Sequence, residues 1–292
     1  MAEAAGPDPR GLTDDGVAAA VAAHGVTLLD ACNGGEFGAR HAVGADGSQW
    51  VLKASPMPEI RDRLPVAAAT TGRLRDLGYP APHYGPSGHV DDVTWYLQER
   101  LPGTVPETAK PTHIETLAAL AQRHADLADR PGPWPRTFSD EIDWAIAQLR
   151  HYGGVANVEE LAAAADRVRG VQLRTSDIAH GDFHLLNFLA EGDEVTGIFD
   201  WDFVIVGDWR VDLVVLAFWT QAFQHIGKPT EPIASSAAAA ERAMLAVCGD
   251  GELAKMALWI TCREVAFSTL THTRERVDWT MQRVADVRHW WQ

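Results

Sequence analysis

Cysteine, lysine and long apolar runs are all scarce in this chain of 292 residues. The three cysteines, Cys32, Cys248 and Cys262, are odd in number, far apart and without a CxxC pair, so the sequence supports neither a disulfide framework nor a zinc ribbon. The longest apolar run, Leu213 to Trp219, is too short to span a bilayer. The first residues, MAEAAGPDPRGLTDDG, have neither the basic nor the apolar stretch of a secretory signal, so a cytoplasmic location is expected. Lysine occurs four times against twenty-one arginines, and no basic stripe forms. With 40 acids against 25 bases, a net charge of −15 repels nucleic acid and anionic membranes, so neither is expected as a partner. No internal period or low-complexity tract appears.

What is present suffices for a large core, since 46% of the residues are hydrophobic. The first third reads as strands at Val26–Asp30, Ala39–Val43, Trp50–Lys53 and Val93–Arg100. They are separated by turn clusters at Asn33-Gly34-Gly35, Gly44–Gly47 and Gly85-Pro86-Ser87-Gly88. One helix interrupts them, with Pro65 in its first turn and Gly78 and Pro80 as its stop. From Arg100-Leu101-Pro102-Gly103 onward the periods are helical: Ile114–Asp129, Ser139–Tyr152, Val158–Arg169, Val211–Gln224, Ile233–Val247, and Glu252 to the end. An α+β chain of two lobes follows, residues 1–103 and 104–292, with a strand-rich island at Ile178–Val206 inside the helical lobe. Glu191-Gly192-Asp193-Glu194 reads as the hairpin turn of that island.

The island carries the chemistry. His180-Gly181-Asp182-Phe183-His184-Leu185-Leu186-Asn187 is followed, thirteen residues after Asn187, by Asp200 in Ile198-Phe199-Asp200-Trp201-Asp202. An Asp and an Asn five residues apart on one loop, with a second carboxylate returned by a hairpin, match a phosphoryl-transfer catalytic loop. Such oxygen ligands suit Mg²⁺ together with phosphate oxygens and water. Upstream, Lys53 in Trp50-Val51-Leu52-Lys53 is the only lysine before Lys110, at a strand end where a phosphate-holding lysine is needed.

These motifs, with Gly207-Asp208-Trp209-Arg210-Val211-Asp212-Leu213, resemble the aminoglycoside phosphotransferase and choline kinase family, relatives of the protein kinases. The resemblance covers roughly residues 30 to 220 and implies a two-lobed protein-kinase-like fold, with an N-terminal antiparallel sheet and one helix, and a mostly helical C-terminal lobe containing a catalytic hairpin. It implies Asp182 as catalytic base, Asn187 and Asp200 as Mg²⁺ ligands, His180 as a loop-shaping residue and Asp212 as the anchor of the loop. ATP, or GTP in its place, would meet Lys53, the backbone of the glycine loop at Gly34 and Gly35, the Glu99 carbonyl and Leu101 N–H at the adenine edge, and Gln98 just behind. The sequence departs from the family on the N-lobe helix, where the usual glutamate partner of the lysine is replaced by Ala69-Thr70-Thr71-Gly72. Either Glu59 or Asp62 supplies that charge, or Lys53 lacks the partner.

Charge is uneven. Residues 1–105 hold 13 acids and 8 bases, and the remainder hold 27 acids and 17 bases. An acidic lobe gives an enzyme that binds ATP no advantage unless the acceptor is cationic. Asp202, Asp140, Glu141, Asp143 and Glu264 are the candidate acceptor-binding acids, and most tryptophans are expected in the core. Within the family, cationic acceptors are aminoglycosides and, in a smaller branch, the cyclic peptides viomycin and capreomycin. Excess alanine and arginine suggests a GC-rich genome of the actinomycete kind. An antibiotic-resistance kinase is therefore expected, leaning to the cyclic-peptide branch because residues 130–180 lack a recognisable aminoglycoside-specific insert, and acting as monomer or homodimer. A choline or homoserine kinase is the alternative. A metallohydrolase using His180, Asp182, His184, Asp200 and Asp202 would leave Lys53 and Asn187 unexplained, and a pseudokinase would leave the intact Asp182, Asn187 and Asp200 unexplained.

Overall fold

The computed structural model describes residues 15–32, 39–128, 138–155, 157–223, 234–271 and 274–292. They divide into two compact units: Met1–Gly103 with Thr196–Phe203, and Thr104–Val195 with Val204–Gln292.

The first unit contains α1 (Asp15–Ala22), β1 (Val26–Ala31), β2 (Ala39–Gly44), β3 (Gln49–Ser55), α2 (Pro58–Asp76), β4 (Tyr84–Val90) and β5 (Val93–Glu99). The strands form one antiparallel sheet in the order β1-β2-β3-β5-β4. Strand alternation sorts its residues between two faces. Leu52, Ala54, Trp95 and Leu97 join Val17 and Val21 of α1 in one core, whereas Tyr96 joins Ile60 and Leu64 of α2 in another. Lys53 and Tyr96 are direct cross-strand partners, so the lysine stands beside the second cluster.

Three expectations need correction here. The glycine-rich segment Tyr84–Val90 forms the edge strand β4 instead of a turn. An edge is where a strand proline is tolerated, and the register shifts between Tyr84 and Ser87, around Pro86. Its glycines are needed for close approach: a Cβ on Gly85 would lie 2.7 Å from the Trp50 ring, and one on Gly88 2.9 Å from that of Trp95. The helix α2 starts at Pro58, whose missing N–H is unneeded in a first turn, and Pro65 lies inside it on the exposed side. A second helix, α1, precedes the sheet.

The second unit holds α3 (Pro111–Gln122), α4 (Phe138–Tyr152), α5 (Val158–Val168), β6 (Asp177–Ala179), β7 (Phe188–Glu191), β8 (Glu194–Ile198, which ends in the first unit) and β9 (Ile205–Gly207). α6 (Arg210–Phe223), α7 (Ala234–Leu245), α8 (Asp250–Thr271) and α9 (Arg274–Val287) complete it. The segment expected as one helix from Glu252 to the end is thus two, followed by a short 3₁₀ turn at Arg288–Trp290. β7 and β8 form a hairpin around Gly192, whose φ of 64° suits the left-handed turn, and β6 pairs with β9 with Asp177 opposite Gly207. The apolar stripe of α6, Val211 to Phe218, is buried throughout. This mixed architecture, an antiparallel sheet at the N-terminus and a helical C-terminal part, is the expected fold class. Among the described residues no helix is long and apolar enough to cross a membrane.

Candidate active site

In the first unit the sheet delivers one lysine and the returning segment delivers two acids. Thr196 Oγ1 donates to the Pro102 carbonyl at 2.7 Å, and the Ile198 N–H donates to that of Pro80 at 2.7 Å. Trp201 is fully buried, edge-on to Tyr79 at 5.7 Å, and its indole N–H donates to the Ile198 carbonyl at 2.9 Å. With this tryptophan as anchor, Asp200 and Asp202 fall on either side of it. Lys53 Nζ donates to Asp200 Oδ1 at 2.6 Å and to Asp202 Oδ2 at 3.0 Å. Asp200 has φ of 68°, a left-handed backbone that costs a non-glycine residue roughly 1 kcal/mol or more. Such strain concentrates where a side chain must be aimed.

Asp202 is only 5% exposed and also accepts hydrogen bonds from Tyr96 and, at 3.3 Å, from Tyr84. The two tyrosine rings stack at 5.9 Å and 11°, and the lysine ammonium lies 5.6 Å from the Tyr96 ring centre. Burial alone would favour neutral Lys53, but the Asp200 and Asp202 carboxylates outweigh it and hold the ammonium well above its ordinary pKa. Burial likewise opposes ionised Asp202, and Lys53 with the Tyr96 hydroxyl reverses that, keeping its pKa low. Both tyrosines are raised well above the ordinary phenol by burial and by the Asp202 charge, and so remain donors.

This geometry corrects two expectations. Neither Glu59 nor Asp62 serves Lys53: both are exposed on α2, and Asp202 fills the place of the absent helix glutamate. Asp202 is accordingly committed to this internal cluster instead of an acceptor-facing surface. Gln98 is buried, and its Nε2 has no hydrogen-bond partner among the described residues. The Glu99 carboxylate accepts from Arg75 and from the His83 N–H, fixing the strand end that leads to Leu101. Gly34 and Gly35 lie outside the described residues.

In the second unit the loop after β6 is hung from α6. Fully buried Asp212 accepts the N–H groups of His180 at 2.8 Å and Gly181 at 3.0 Å, and its Oδ2 lies 3.0 Å from His124 Nδ1. His180 is itself fully buried, and its Nδ1 accepts the Asp182 N–H at 3.3 Å. Behind the loop, Asp177 accepts from Asp126 N–H and Trp209 N–H and pairs with Arg174 at 2.6 Å; Asp208 pairs with Arg210, which also holds Glu252. These ties fix both ends of the β6–β9 ladder.

The Asp182 carboxylate is held on each side. Asn187 Nδ2 donates to its Oδ2 at 3.0 Å and to its backbone carbonyl at 2.9 Å, and His184 Nε2 lies 3.3 Å from Oδ2. His184 Nδ1 accepts the Leu186 N–H at 3.2 Å, so its proton belongs on Nε2, facing the carboxylate. Arg263 Nη2 stands 3.5 Å from Oδ1. Burial would raise the Asp182 pKa, yet the neighbouring His184, with its hydrogen bond, and the Arg263 guanidinium hold it far below the usual carboxylate value. With the Asn187 nitrogen turned inward, its amide oxygen remains as a hard ligand atom, which fits the Mg²⁺ role expected of this side chain.

The remaining acids scatter. Asp140 is exposed at the first turn of α4, and Asp143 is tied to Arg169 at 2.8 Å on the surface. Glu141 accepts the indole N–H of Trp259, and the largely buried Glu264 lies 3.8 Å from Arg263 Nε. Sequence reasoning passed over Arg263, Trp259, Tyr84 and Tyr96, because no short spacing links them to the motifs. Among the described residues no group of three or more His, Cys, Asp or Glu side chains is arranged to hold a metal ion, which disfavours a metallohydrolase built on His180, Asp182, His184, Asp200 and Asp202.

Comparison with known proteins places the chain in a family. Residues 33–259 match the phosphotransferase enzyme family, and the chain belongs to that family of enzymes. Its fold is similar to that of aminoglycoside phosphotransferase APH(4)-Ia (19% identity, TM-score 0.69, covering 93% of this chain and 96% of that one). It also resembles macrolide 2'-phosphotransferase MphH from Brachybacterium faecium (16%, TM-score 0.56, 92% and 98%). Amicoumacin kinase hAmiN, solved with AMP-PNP and Ca²⁺, is a third relative in structure (15%, TM-score 0.63, 95% and 95%). No curated protein sequence matches significantly.

Proposed function

We propose that the protein transfers the γ-phosphoryl group of ATP, or of GTP in its place, to a hydroxyl of a small cationic molecule. The observation that carries this reading is the Asp182–Asn187 pair: one amide nitrogen holds both the carbonyl and the carboxylate of Asp182, which would fix the base and leave the amide oxygen as a ligand atom. Asp182 would accept the hydrogen bond of the acceptor hydroxyl and orient its oxygen toward phosphorus. Because its pKa lies so low, it contributes orientation more than basicity, as a loose transition state requires. Lys53, permanently charged by its carboxylate neighbours, would hold the nucleotide's phosphates. Asn187 and Asp200 would hold Mg²⁺, which when bound supplies positive charge against the phosphate oxygens.

The acidic balance of the chain supports a cationic acceptor, with Glu141, Glu264 and Asp140 as its candidate contacts. The solved complex of APH(4)-Ia with ADP and hygromycin B points the same way for a protein of this fold. Antibiotic resistance is the biological role that follows, with an aminoglycoside or a cyclic peptide such as capreomycin or viomycin as acceptor. A screen of ADP release with these compounds, macrolides, choline and homoserine, followed by mass analysis, is the test. One added phosphoryl group on a cationic compound is expected. Turnover confined to choline or homoserine would move the enzyme into metabolism, and ATP-independent hydrolysis supported by zinc would overturn the proposal.

A further inference from the structure

The Asp182 carboxylate is engaged unequally. Its Oδ2 takes the Asn187 amide at 3.0 Å and His184 at 3.3 Å, whereas among the described residues its Oδ1 has only Arg263 at 3.5 Å, beyond a good hydrogen bond. Oδ1 therefore retains capacity for an acceptor hydroxyl, and Arg263 stands next to that capacity. The same guanidinium donates from Nη1 to the Gly181 carbonyl, one peptide before the catalytic residue. Its plane is set from behind: Arg263 lies 5.3 Å from the ring centre of Trp259, one helical turn earlier on α8. Trp259 is itself fixed, donating its indole N–H to Glu141 and meeting Phe138 edge-on at 5.0 Å.

We propose that Arg263 is a positioning residue for phosphoryl transfer, whose planar fork ties the Gly181 carbonyl to the Asp182 Oδ1 side and sets the direction in which Asp182 receives the acceptor hydroxyl. The proposal rests on the phosphotransfer reading above. A lysine reproduces the charge but cannot span both oxygens in a fixed plane. The arginine adds no chemistry of its own and acts only through Asp182.

The test measures ADP release with the fastest acceptor of the screen, water serving as acceptor if none exceeds it, for Arg263→Gln, Arg263→Lys, Asp182→Asn and the double variant Asp182→Asn/Arg263→Gln. Binding of AMP-PNP with Mg²⁺ and thermal melting accompany each. Arg263→Gln should lower kcat by roughly ten- to a hundredfold, the range of a small misplacement of a reacting group, with AMP-PNP affinity within about twofold of the parent. Arg263→Lys should recover part of the rate, and the double variant should be no slower than Asp182→Asn alone, since residues acting as one unit are non-additive. The proposal is overturned by unchanged kcat in Arg263→Gln, by a full additional loss in the double variant, or by a rate loss that only follows a lowered melting point in both Arg263 variants. Asp182→Asn as fast as the parent would instead sink the phosphotransfer reading itself, whatever the Arg263 variants do.

Discussion

Lys53 and Asp182 are both half-buried charged groups, yet they are held in opposite ways. Lys53 is a sheet residue whose two partners arrive from a segment nearly 150 positions later, and every one of those contacts is made by side chains. Asp182 sits on a loop whose own backbone is gripped: Asp212 takes the N–H groups of His180 and Gly181, and Asn187 takes the Asp182 carbonyl. The first arrangement leaves room for rearrangement, and on the proposed reading Lys53 would exchange a carboxylate for a phosphate. The second fixes a carboxylate in one orientation. A phosphate-holding group needs the former and an orienting base needs the latter.

The largest expected effects break the rigid half. Asp182→Ala should lower kcat by about 10² to 10⁴, the usual range for loss of a positioned proton acceptor, with AMP-PNP binding nearly intact; ADP-release kinetics decide it. A variant within tenfold of the parent would show that the fixed carboxylate is not the base. Next comes Asp212→Ala, which strands the donors of His180 and Gly181 in a fully buried place. A loss of about 3 kcal/mol in denaturant unfolding is expected, with activity falling even where the protein remains folded. Unchanged stability would mean that the loop is held by other ties.

What was legible in the sequence follows the same division. The HGDFHLLN loop was readable because its contacts are local: Asp182 and Asn187 are five positions apart, and a loop of that spacing can close on itself. The antiparallel strands Val26–Ala31, Ala39–Gly44 and Val93–Glu99 were readable from alternation and glycine turns. The edge strand Tyr84–Val90 was not, since its glycines and proline are turn residues in isolation and become strand residues only against Trp50 and Trp95. Nor was the partner of Lys53. No pattern in Trp201-Asp202-Phe203 announces that its acid will lie beneath two tyrosines. Arg263 escaped because α8 is apolar around it and its target is 81 positions away.

Intermediate effects sharpen the flexible half. Asp202→Asn keeps the shape but removes the charge that balances Lys53, and about a tenfold weakening of AMP-PNP binding is expected by titration calorimetry, with kcat reduced less than in Asp182→Ala. An unaltered affinity would mean that Asp200 alone suffices. Behind the rigid half, Asp177 is buried, which would raise its pKa, but Arg174 and two backbone N–H groups bring it below the ordinary aspartate value. Its contribution is thus complete above the unfolded pKa of about 4 and disappears as pH falls through the lower folded value. Acid unfolding followed by circular dichroism should begin below about pH 4 and be less steep in Asp177→Asn.

The smallest effect is expected at Asp143, and it separates acids that face an acceptor from acids that coat a helix. Asp143 is bound to Arg169 by two contacts on an exposed face, so its charge is already answered and screened by solvent. Glu141 and Glu264 differ, because each lies against Trp259 or Arg263, the side chains that lead to Asp182. Asp143→Asn should leave the KM of a cationic acceptor within about twofold and the melting point almost unmoved, whereas Glu141→Gln and Glu264→Gln should each raise KM several-fold at low salt and less at high salt. If Asp143→Asn raised KM as much as the other two, the acceptor would be drawn by the acidic lobe as a whole instead of by acids next to the catalytic loop.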